Sequence, residues 1–342
     1  MMKTTCISYT NKYVYNFQTC GSHSTFKINN TRMKKIRILT LAALLLPFIA
    51  GAQNSGDCMQ LFNGRDLSDW RPDKPGSFEV INGELVTRSF GSGNDMYTIK
   101  QYGNFILRLE FLLSEVGNSG VFIRRDPSVP GSGFEVQLLA PWTPWRDDLH
   151  CTGSLYGHVA VSNRPDETTG RWYKMEISCD RNLVTVSING EITTRADIDT
   201  VKSMEGKPFT GYIGLQGNHA EKENQFAKFR NICIIDLDTD PQYVIRGLHF
   251  RNEMARSQCI NAAASLGAQI IQPLADLMAD QDPVAQNGAK QALFDIAANA
   301  STAGYPSKEK KDVIKAIRKS IKASSSDITS DYLKWLAGLI RN

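Results

Sequence analysis

The nine residues from Phe105 to Leu113, FILRLEFLL, decide the class of fold, because Arg108 and Glu110 alternate with apolar side chains in the middle of the run. Successive side chains of an extended strand point to opposite faces, so Leu107 and Leu109 share one face while Arg108 and Glu110 share the other. This period of two predicts a β-strand that buries one face in a core.

Similar short runs occupy most of the chain on both sides of this segment. They lie at 121–124, 134–138, 172–179, 183–188, 212–216 and 226–235. Asp180-Arg181-Asn182 and Asn189-Gly190 separate neighbouring runs and are typical of tight hairpin turns. Many short strands at such spacing predict a mainly β protein built as a sandwich or jelly roll of two antiparallel sheets.

The composition changes near Pro241 to an Ala-rich pattern with helical periodicity. One amphipathic run near Ile271 is followed by an acidic turn with Pro283 and then by a second run ending near Ala297. This layout resembles a HEAT-type repeat, so we expect residues 53–241 to form the sandwich and residues 242–342 a small all-α helical-repeat domain. Such a domain either braces its neighbour or binds a partner protein.

The first 52 residues have the character of a targeting region. Residues 33–52 combine a basic start, an apolar run from Ile38 to Ile49 and the small residues Ala50-Gly51-Ala52, which together predict a signal peptide cut after Ala52. Residues 1–32 then precede the methionine at which a normal signal peptide would start. We interpret them as the result of a start codon assigned too early, or as a genuine N-terminal extension. We expect export to the periplasm or beyond, with no transmembrane segment in the mature chain.

Charge and cysteine content exclude several classes of function. Residues 53–342 contain 32 basic and 35 acidic side chains, a net charge of −3, which is not the footprint of a protein that binds nucleic acid or anionic lipid. The five cysteines of this part have no regular spacing and no C-x-x-C pair, so neither a disulfide framework nor a structural zinc site is predicted, although export permits one or two bridges.

Several phrases of the β region go beyond a general pattern. They are Leu61-Phe62-Asn63-Gly64-Arg65-Asp66-Leu67-Ser68-Asp69-Trp70, Gly117-Asn118-Ser119-Gly120-Val121-Phe122-Ile123-Arg124, Gly133-Phe134-Glu135-Val136-Gln137-Leu138-Leu139, Thr152-Gly153-Ser154-Leu155-Tyr156-Gly157, Gly170-Arg171-Trp172, Ile213-Gly214-Leu215-Gln216 and Phe229-Arg230-Asn231-Ile232. In order and spacing, over roughly residues 58–237, they resemble the bacterial 3-keto-disaccharide hydrolase domain family.

The resemblance implies a concanavalin-like, lectin-like jelly roll that cleaves glycosides already oxidised to a ketone at sugar carbon 3. An oxidoreductase acting upstream on the same sugar is then an expected partner in the pathway. The chain departs from the family at one point: the common Glu-x-Gln-(Ile/Leu)-x-Asp ends here in Ala140 rather than Asp.

A ketone at carbon 3 acidifies the proton on carbon 2, so one general base can start a β-elimination of the glycosidic oxygen, and water then adds to the enone. Glu135 is the candidate base because alternation places it opposite Phe134 and Val136. Alternation places Arg124 beside Phe122 on the polar side of its strand, so we assign it to the enolate. His158 follows Tyr156 by two residues and shares its face if the strand continues, so we assign it to the leaving oxygen or a metal. Glu135 and Arg124 each have a simpler interpretation, as part of a solvated sheet face or of surface ion pairs.

Further residues are candidates for binding the sugar or an ion. The substrate-binding candidates are Gln137, Tyr156, Asn118, Trp142, Trp145, Gln216 and His219. Sugars stack on flat rings, which favours the two tryptophans of the Pro-rich loop. His150 and Asp148 are weaker candidates for a divalent metal site, because loops rich in Asp are usually only hydrated.

Two other classes of function share the same fold. The first is a non-catalytic carbohydrate-binding module, which the alanine at position 140 favours, and the second is an adaptor that uses its helical tail to hold a protein. A conventional two-carboxylate glycosidase is less favoured, because no second acid can be placed opposite Glu135 from the sequence.

Overall fold

The computed structural model describes residues 58–88, 94–144, 146–217 and 224–341. The predicted extension and signal peptide, residues 1–32 and 33–52, lie outside the described residues, as do Trp145 and His219. Within the described ranges, no helix has both the length and the apolar character needed to cross a bilayer.

The β region is a sandwich of two antiparallel sheets, as the alternation predicts. The larger sheet has the strand order β11-β10-β9-β6-β13-β4-β3, and β1 also pairs with β13. Its strands are β1 (Met59–Gln60), β3 (Phe78–Ile81), β4 (Glu84–Thr87), β6 (Phe105–Leu113), β9 (Tyr173–Asp180), β10 (Leu183–Ile188), β11 (Glu191–Asp197) and β13 (Ala227–Asp236).

The smaller sheet has five strands in the order β2-β5-β12-β7-β8. These strands are β2 (Trp70–Pro72), β5 (Met96–Tyr102), β7 (Asn118–Arg125), β8 (Phe134–Leu139) and β12 (Gly211–Leu215). Consecutive strands repeatedly change sheets, which is the connectivity expected of a jelly roll. The prediction of a jelly-roll sandwich followed by a helical region is confirmed.

One apolar core lies between the two sheets. From β6 it receives Leu107, Leu109 and Phe111, and from β8 it receives Val136 and Leu138, all fully or almost fully buried. The intervening residues of each strand therefore face away from the core, and for β8 these are Glu135, Gln137 and Leu139.

A disulfide joins Cys58 to Cys233 next to the short pairing of β1 with β13. It links residues 175 positions apart and so ties the start of the domain to its last strand. Cys151, Cys179 and Cys259 are buried free thiols. One bridge agrees with the expectation that export permits such pairs without a disulfide framework.

The helical region begins at Pro241, immediately after the last strand and a 3₁₀ turn. Its helices are α1 (Pro241–Gly247), α2 (Glu253–Leu266), α3 (Ile271–Leu277), α4 (Pro283–Ser301), α5 (Ser307–Ala323) and α6 (Asp327–Arg341). Asp240 and Asp282 accept hydrogen bonds from the first turns of α1 and α4, and Pro follows each of them. The acidic turn with Pro283 was the start signal expected from the sequence, and Asp240 with Pro241 has the same arrangement.

The helical region packs on the sandwich at one of its ends. The hydroxyl of Tyr243 donates to Asp180 at 2.6 Å, and the side-chain amide of Gln258 donates to Asp238 at 2.9 Å. Asp238 also accepts a hydrogen bond from the side-chain amide of Asn104 at 2.7 Å. Ala255 of α2 packs into the sandwich core. These contacts join the helical region to the sandwich, and its role as a brace or as a binding site for a partner stays a prediction.

Candidate functional site

The Glu135 side chain lies on the face of the five-stranded sheet that points away from the core, as alternation predicts. Its Cα lies opposite that of Phe122 on β7. The carboxylate reaches sideways over Gly120, where a Cβ atom would come within 2.6 Å of Glu135 Oε1. Glycine at position 120, within β7, therefore leaves the space that the Glu135 carboxylate occupies in this position.

The carboxylate of Glu135 accepts a hydrogen bond from Gln216, with 2.8 Å between Nε2 and Oε1. Gln216 follows β12 directly, and its backbone N–H donates to the carbonyl of Gly120 at 2.8 Å, which extends the pairing of β12 with β7 by one residue. The candidate base and this candidate binding residue are therefore brought together from chain positions 81 residues apart.

Burial raises the pKa of Glu135 from its ordinary value of 4.5 to about 7, and the nearby charge of Asp95 adds to the rise. The hydrogen bond from Gln216 and the charge of Arg125 oppose the shift without cancelling it. A carboxyl group with a pKa near 7 can exchange its proton readily at neutral pH, which is the property required of a general base.

Asp95 is held in place just before β5. Its carboxylate accepts hydrogen bonds from the Tyr97 hydroxyl and from the backbone N–H of Gly217, both at 3.2 Å. Asp95 therefore stays close to the end of β12 and acts on Glu135 as a fixed negative charge.

A packed aromatic layer lies on the same face of the sheet. The rings of Tyr97 and Phe122 are stacked with centroids 6.0 Å apart, and Gly214 lies between them with no room for a Cβ atom. The guanidinium of Arg125 lies over the Phe122 ring at 5.2 Å from its centroid. Both rings are almost fully buried, so they support the polar groups rather than offer a free stacking surface.

Gln137 and Asn118 continue the polar face beyond Glu135. The side-chain amide of Gln137 donates to Asn118 Oδ1 at 3.5 Å, and Gln137 is almost fully buried. The loop after β8 covers this edge, because Ser154 and Gly153 form backbone hydrogen bonds with Gln137. Asn118, Gln137, Glu135 and Gln216 are thus the predicted residues that the structure brings together.

Arg124 does not lie where alternation places it. The register between β12 and β7 shifts at this point, with Tyr212 opposite Arg125 and Gly214 opposite Phe122. The shift leaves Arg124 as the extra residue of a bulge, with a φ of 51°. Its side chain is completely buried, donates to the carbonyl of Gly103 and lies over Phe209, so the prediction that it shares the Glu135 face is wrong.

The position of His158 also differs from the expectation. We expected a continuing strand with Tyr156 and His158 on one face, but the chain turns there, with two backbone hydrogen bonds between Leu155 and Val159. The His158 ring contacts Ser203 Oγ at 3.0 Å and the edge of core residue Phe134. Burial and the charge of Lys207 lower its pKa. These contacts place it away from the face that carries Glu135.

The backbone of Tyr156, and not its side chain, contacts Glu135. Its N–H donates to the carbonyl of Glu135 at 2.9 Å, while its exposed ring meets His150 edge-on at 4.9 Å between centroids. Trp142 is exposed in the loop after β8, as expected for a ring that meets a ligand.

The two metal candidates are engaged with other partners. His150 Nδ1 lies 2.7 Å from Asp147, and Asp148 accepts from the guanidinium of Arg164 at 3.0 Å. Within the part of the chain that the structure describes, no three His, Cys, Asp or Glu side chains gather around a common point. In this loop, His150 and Asp148 therefore contact neighbouring charged side chains, whereas the sequence suggested that they bind a metal.

Asp95, Tyr97 and Arg125 were not among the residues predicted from the sequence. Asp95 and Tyr97 stand two positions apart around the core residue Met96, so strict alternation would have placed both on the Glu135 face. Arg125 had no such signal, because only the bulge at Arg124 turns it toward that face.

Ala140, the point of departure from the family pattern, lies in the apolar core with no exposed surface. It is on the opposite side of the sheet from Glu135. The alanine therefore removes no polar group from the cluster around the candidate base.

Comparisons with solved structures return matches with low TM-scores to about half of this chain. A candidate glycosyl hydrolase from Parabacteroides distasonis is 23% identical, with a TM-score of 0.44 over 52% of this chain and 92% of that chain. The carbohydrate-binding module CBM66 from Bacillus subtilis is 12% identical, with a TM-score of 0.35 over 49% and 96%. The β-glucanase of Bacillus licheniformis is 12% identical, with a TM-score of 0.36 over 51% and 94%.

A comparison with curated proteins gave no significant match. The family comparison is more specific, because the model of the 3-keto-alpha-glucoside-1,2-lyase-like domain matches residues 57–235. This range covers the sandwich from the disulfide at Cys58 to the end of β13 and amounts to about half of the chain. The chain therefore belongs to the 3-keto-alpha-glucoside-1,2-lyase-like domain family.

Proposed function

We propose that this protein is an exported carbohydrate-active enzyme that cleaves 3-keto-glycosides by β-elimination, with Glu135 as the general base. The observation that carries the proposal is the half-buried Glu135 carboxyl, whose pKa is raised to about 7 and which Gln216 orients with one hydrogen bond. Membership of the lyase-like family supports carbohydrate as the substrate class.

The reaction requires one base and one group that stabilises negative charge. Ionised Glu135 takes the proton from carbon 2, the electron pair of that bond forms the enolate with the carbon 3 ketone, and the bond from carbon 1 to the glycosidic oxygen breaks. Arg125 replaces Arg124 as the cation for the enolate, because its charge already acts on Glu135.

The leaving oxygen needs a proton. His158 is directed toward Ser203 and the core, so we assign this step to Glu135 itself, which has just gained a proton from carbon 2. A carboxyl with a pKa near 7 is able both to accept and to return a proton at neutral pH. Water then adds across the enone to give the free 3-keto sugar, or the enone is released as the product of a lyase.

Gln216, Gln137 and Asn118 supply amide groups for the sugar hydroxyls around Glu135. Gln216 Oε1 is buried and accepts no hydrogen bond from any residue that the structure describes. Buried acceptors of this kind are usually satisfied by a ligand or by water, so Gln216 is suited to accept a hydroxyl proton from the sugar.

The proposal is tested by comparing the turnover of two substrates. The protein should release the aglycone from a 3-keto-glucoside and leave the corresponding ordinary glucoside intact, since only the ketone acidifies carbon 2. Turnover of the ordinary glucoside would instead indicate a two-carboxylate glycosidase in which Asp95 is the second acid. Binding of both sugars without turnover would indicate a carbohydrate-binding module. Repeating the assay with a chelator determines whether a divalent metal takes part.

Export forms the second part of the proposal. The predicted signal peptide supports it, and so does the Cys58–Cys233 disulfide, because such bonds persist mainly in oxidising compartments. A sugar 3-oxidoreductase would have to supply the ketone upstream. The sandwich of residues 53–241 would carry the reaction, and the HEAT-like region of residues 242–342 would brace it or hold a protein partner.

A further inference from the structure

Helix α5 carries a strong concentration of positive charge. Its 17 residues include seven basic and two acidic side chains, a net charge of +5. Residues 53–342 as a whole carry a net charge of −3, so the remainder of this part carries −8. The low overall charge, which argued against polyanionic partners, therefore conceals two regions of opposite sign.

The cations of α5 form one continuous stripe. Lys311, Lys315, Arg318 and Lys322 follow one another at intervals of three or four residues, which places them on one face of the helix. All four are exposed, and together with Ile314 and Lys319 they line one groove. At 1.5 Å per residue, the stripe is about 17 Å long.

These cations have no acidic partners in the structure. No ion pair among the described residues involves a side chain of α5. The sequence also has no acid between Val313 and Ala323. Surface lysines of soluble proteins are commonly interspersed with acids, so an uninterrupted row of unpaired cations favours a ligand with repeated negative charges.

We propose that the α5 stripe binds a linear acidic polysaccharide, one that carries a carboxylate or sulfate on successive sugars. A single flexible chain can follow a stripe one helix wide. A membrane surface is flat and wide, so most of its charge would lie further than the Debye length of about 8 Å from a stripe one helix across.

Two further observations argue against other polyanions. The isoleucines and the valine of α5 pack against the other helices, Val313 and Ile317 fully and Ile314 and Ile321 partly buried, so the helix presents no continuous exposed apolar face to insert into lipid. No aromatic residue lines the groove, whereas single-stranded nucleic acids are usually held by stacking on aromatic rings. A charged polysaccharide needs neither feature.

The stripe belongs to the helical region and the proposed base to the sandwich. We therefore assign α5 the role of holding the protein on an acidic polymer, separately from the cleavage of 3-keto-glycosides. The choice of polysaccharide draws on the carbohydrate-acting family, but the binding itself does not depend on Glu135.

The test measures binding of polygalacturonate and heparin, with dextran as the neutral polymer. In the triple variant Lys315→Glu, Arg318→Glu, Lys322→Glu, affinity for the acidic polymers should fall by at least about tenfold, and wild-type binding should weaken as salt is added. The matched control is Arg65→Glu, Arg195→Glu, Lys202→Glu, which changes the net charge equally at exposed sites elsewhere and should bind like the wild type.

Polygalacturonate carries only carboxylates, whereas heparin carries sulfates in addition to carboxylates, so binding of heparin alone would identify sulfate as the recognised group. Equal losses in both triple variants, or no binding by the wild type, would overturn the proposal. Tighter binding of duplex DNA or of phosphatidylglycerol vesicles than of either polysaccharide would also overturn it. The α5 variant should still cleave a small 3-keto-glucoside, and Glu135→Gln should still bind the polymer, so the two proposals fail separately. If the triple Glu variant unfolds, the same positions changed to Gln give the readout.

Discussion

Glu110 and Glu135 lie at similar positions in two different sheets, each on the face away from the core, yet their chemistry is opposite. Glu110 lies directly across from Arg230 on β13, and their side chains form an ion pair at 2.8 Å. Glu135 lies across from Phe122, and its carboxylate accepts a hydrogen bond from the neutral amide of Gln216.

The difference appears in the pKa of each carboxyl. Burial alone would raise the pKa of Glu110, but hydrogen bonds from Arg230 and Asn231 outweigh it and hold the pKa below its usual value. Burial and Asp95 raise the pKa of Glu135 to about 7. Alternation thus determines the face of the sheet on which a glutamate lies. The residue opposite it on the neighbouring strand decides whether its carboxylate is a structural ion or a candidate base.

The largest effect is expected on turnover. Glu135→Gln removes the base while keeping the shape and the contact with Gln216, so release of the aglycone from a 3-keto-glucoside should fall about 10²- to 10⁴-fold. Glu110→Gln is the matched control and should remain close to the wild type. Comparable rates in the two variants would show that the two faces do not differ in function.

Stability should respond to pH in opposite ways at the two glutamates. Because the folded pKa of Glu135 is about 7 against 4.5, the native state keeps a proton that the unfolded chain loses, and stability falls as pH rises through this window. Glu135→Gln should therefore raise the free energy of unfolding at pH 8 by up to about 3 kcal/mol and change it little at pH 4.

Glu110→Gln should instead lower the free energy of unfolding at pH 8, by about 1 kcal/mol, because it breaks a partly exposed ion pair. Denaturant titrations at pH 4 and pH 8 compare the two variants. A loss of stability at pH 8 in Glu135→Gln would contradict the raised pKa.

A smaller effect is expected when the space over Gly120 is filled. In Gly120→Ala the new methyl group would occupy the position of the Glu135 carboxylate, so the base must move and turnover should fall by about 10- to 100-fold. Gly338→Ala in α6 meets no atom within 4 Å and serves as the control. Unchanged turnover in Gly120→Ala would mean that the observed position of the carboxylate is not the productive one.

The smallest expected effect is a shift in the pH dependence of turnover, caused by the influence of Asp95 on the pKa of Glu135. Asp95→Asn keeps most of the local shape but removes a negative charge that raises the pKa of Glu135, so the ascending limb of the pH–rate profile should shift to lower pH. Asp95 acts as a positioning residue, and a purely structural loss would lower the rate at every pH without shifting the limb. The profiles of the two proteins decide between these outcomes.

The period of two was sufficient to predict the sandwich and the face that carries Glu135 and Gln137. Gln216 was a candidate because it ends the phrase Ile213-Gly214-Leu215-Gln216, and the structure places it one residue after β12. These predictions succeeded because burial of alternate side chains is a local property of each strand.

Arg124 and His158 were misplaced for a different reason. A bulge in β7 and a tight turn after Leu155 depend on how distant segments pair, and a short sequence pattern does not contain this information. Asp95 was overlooked because it lies before its strand, where alternation is harder to read.

The most direct test of the central claim follows the hydrogen on carbon 2 of the sugar. A 3-keto-glucoside deuterated at carbon 2 is incubated with the wild type and with Glu135→Gln, and loss of deuterium to water is followed by NMR. We predict rapid loss with the wild type and almost none with Glu135→Gln, because only the carboxylate can remove this atom. Loss at the same rate in both proteins, or aglycone release with the deuterium retained, would contradict the assignment of Glu135 as the base.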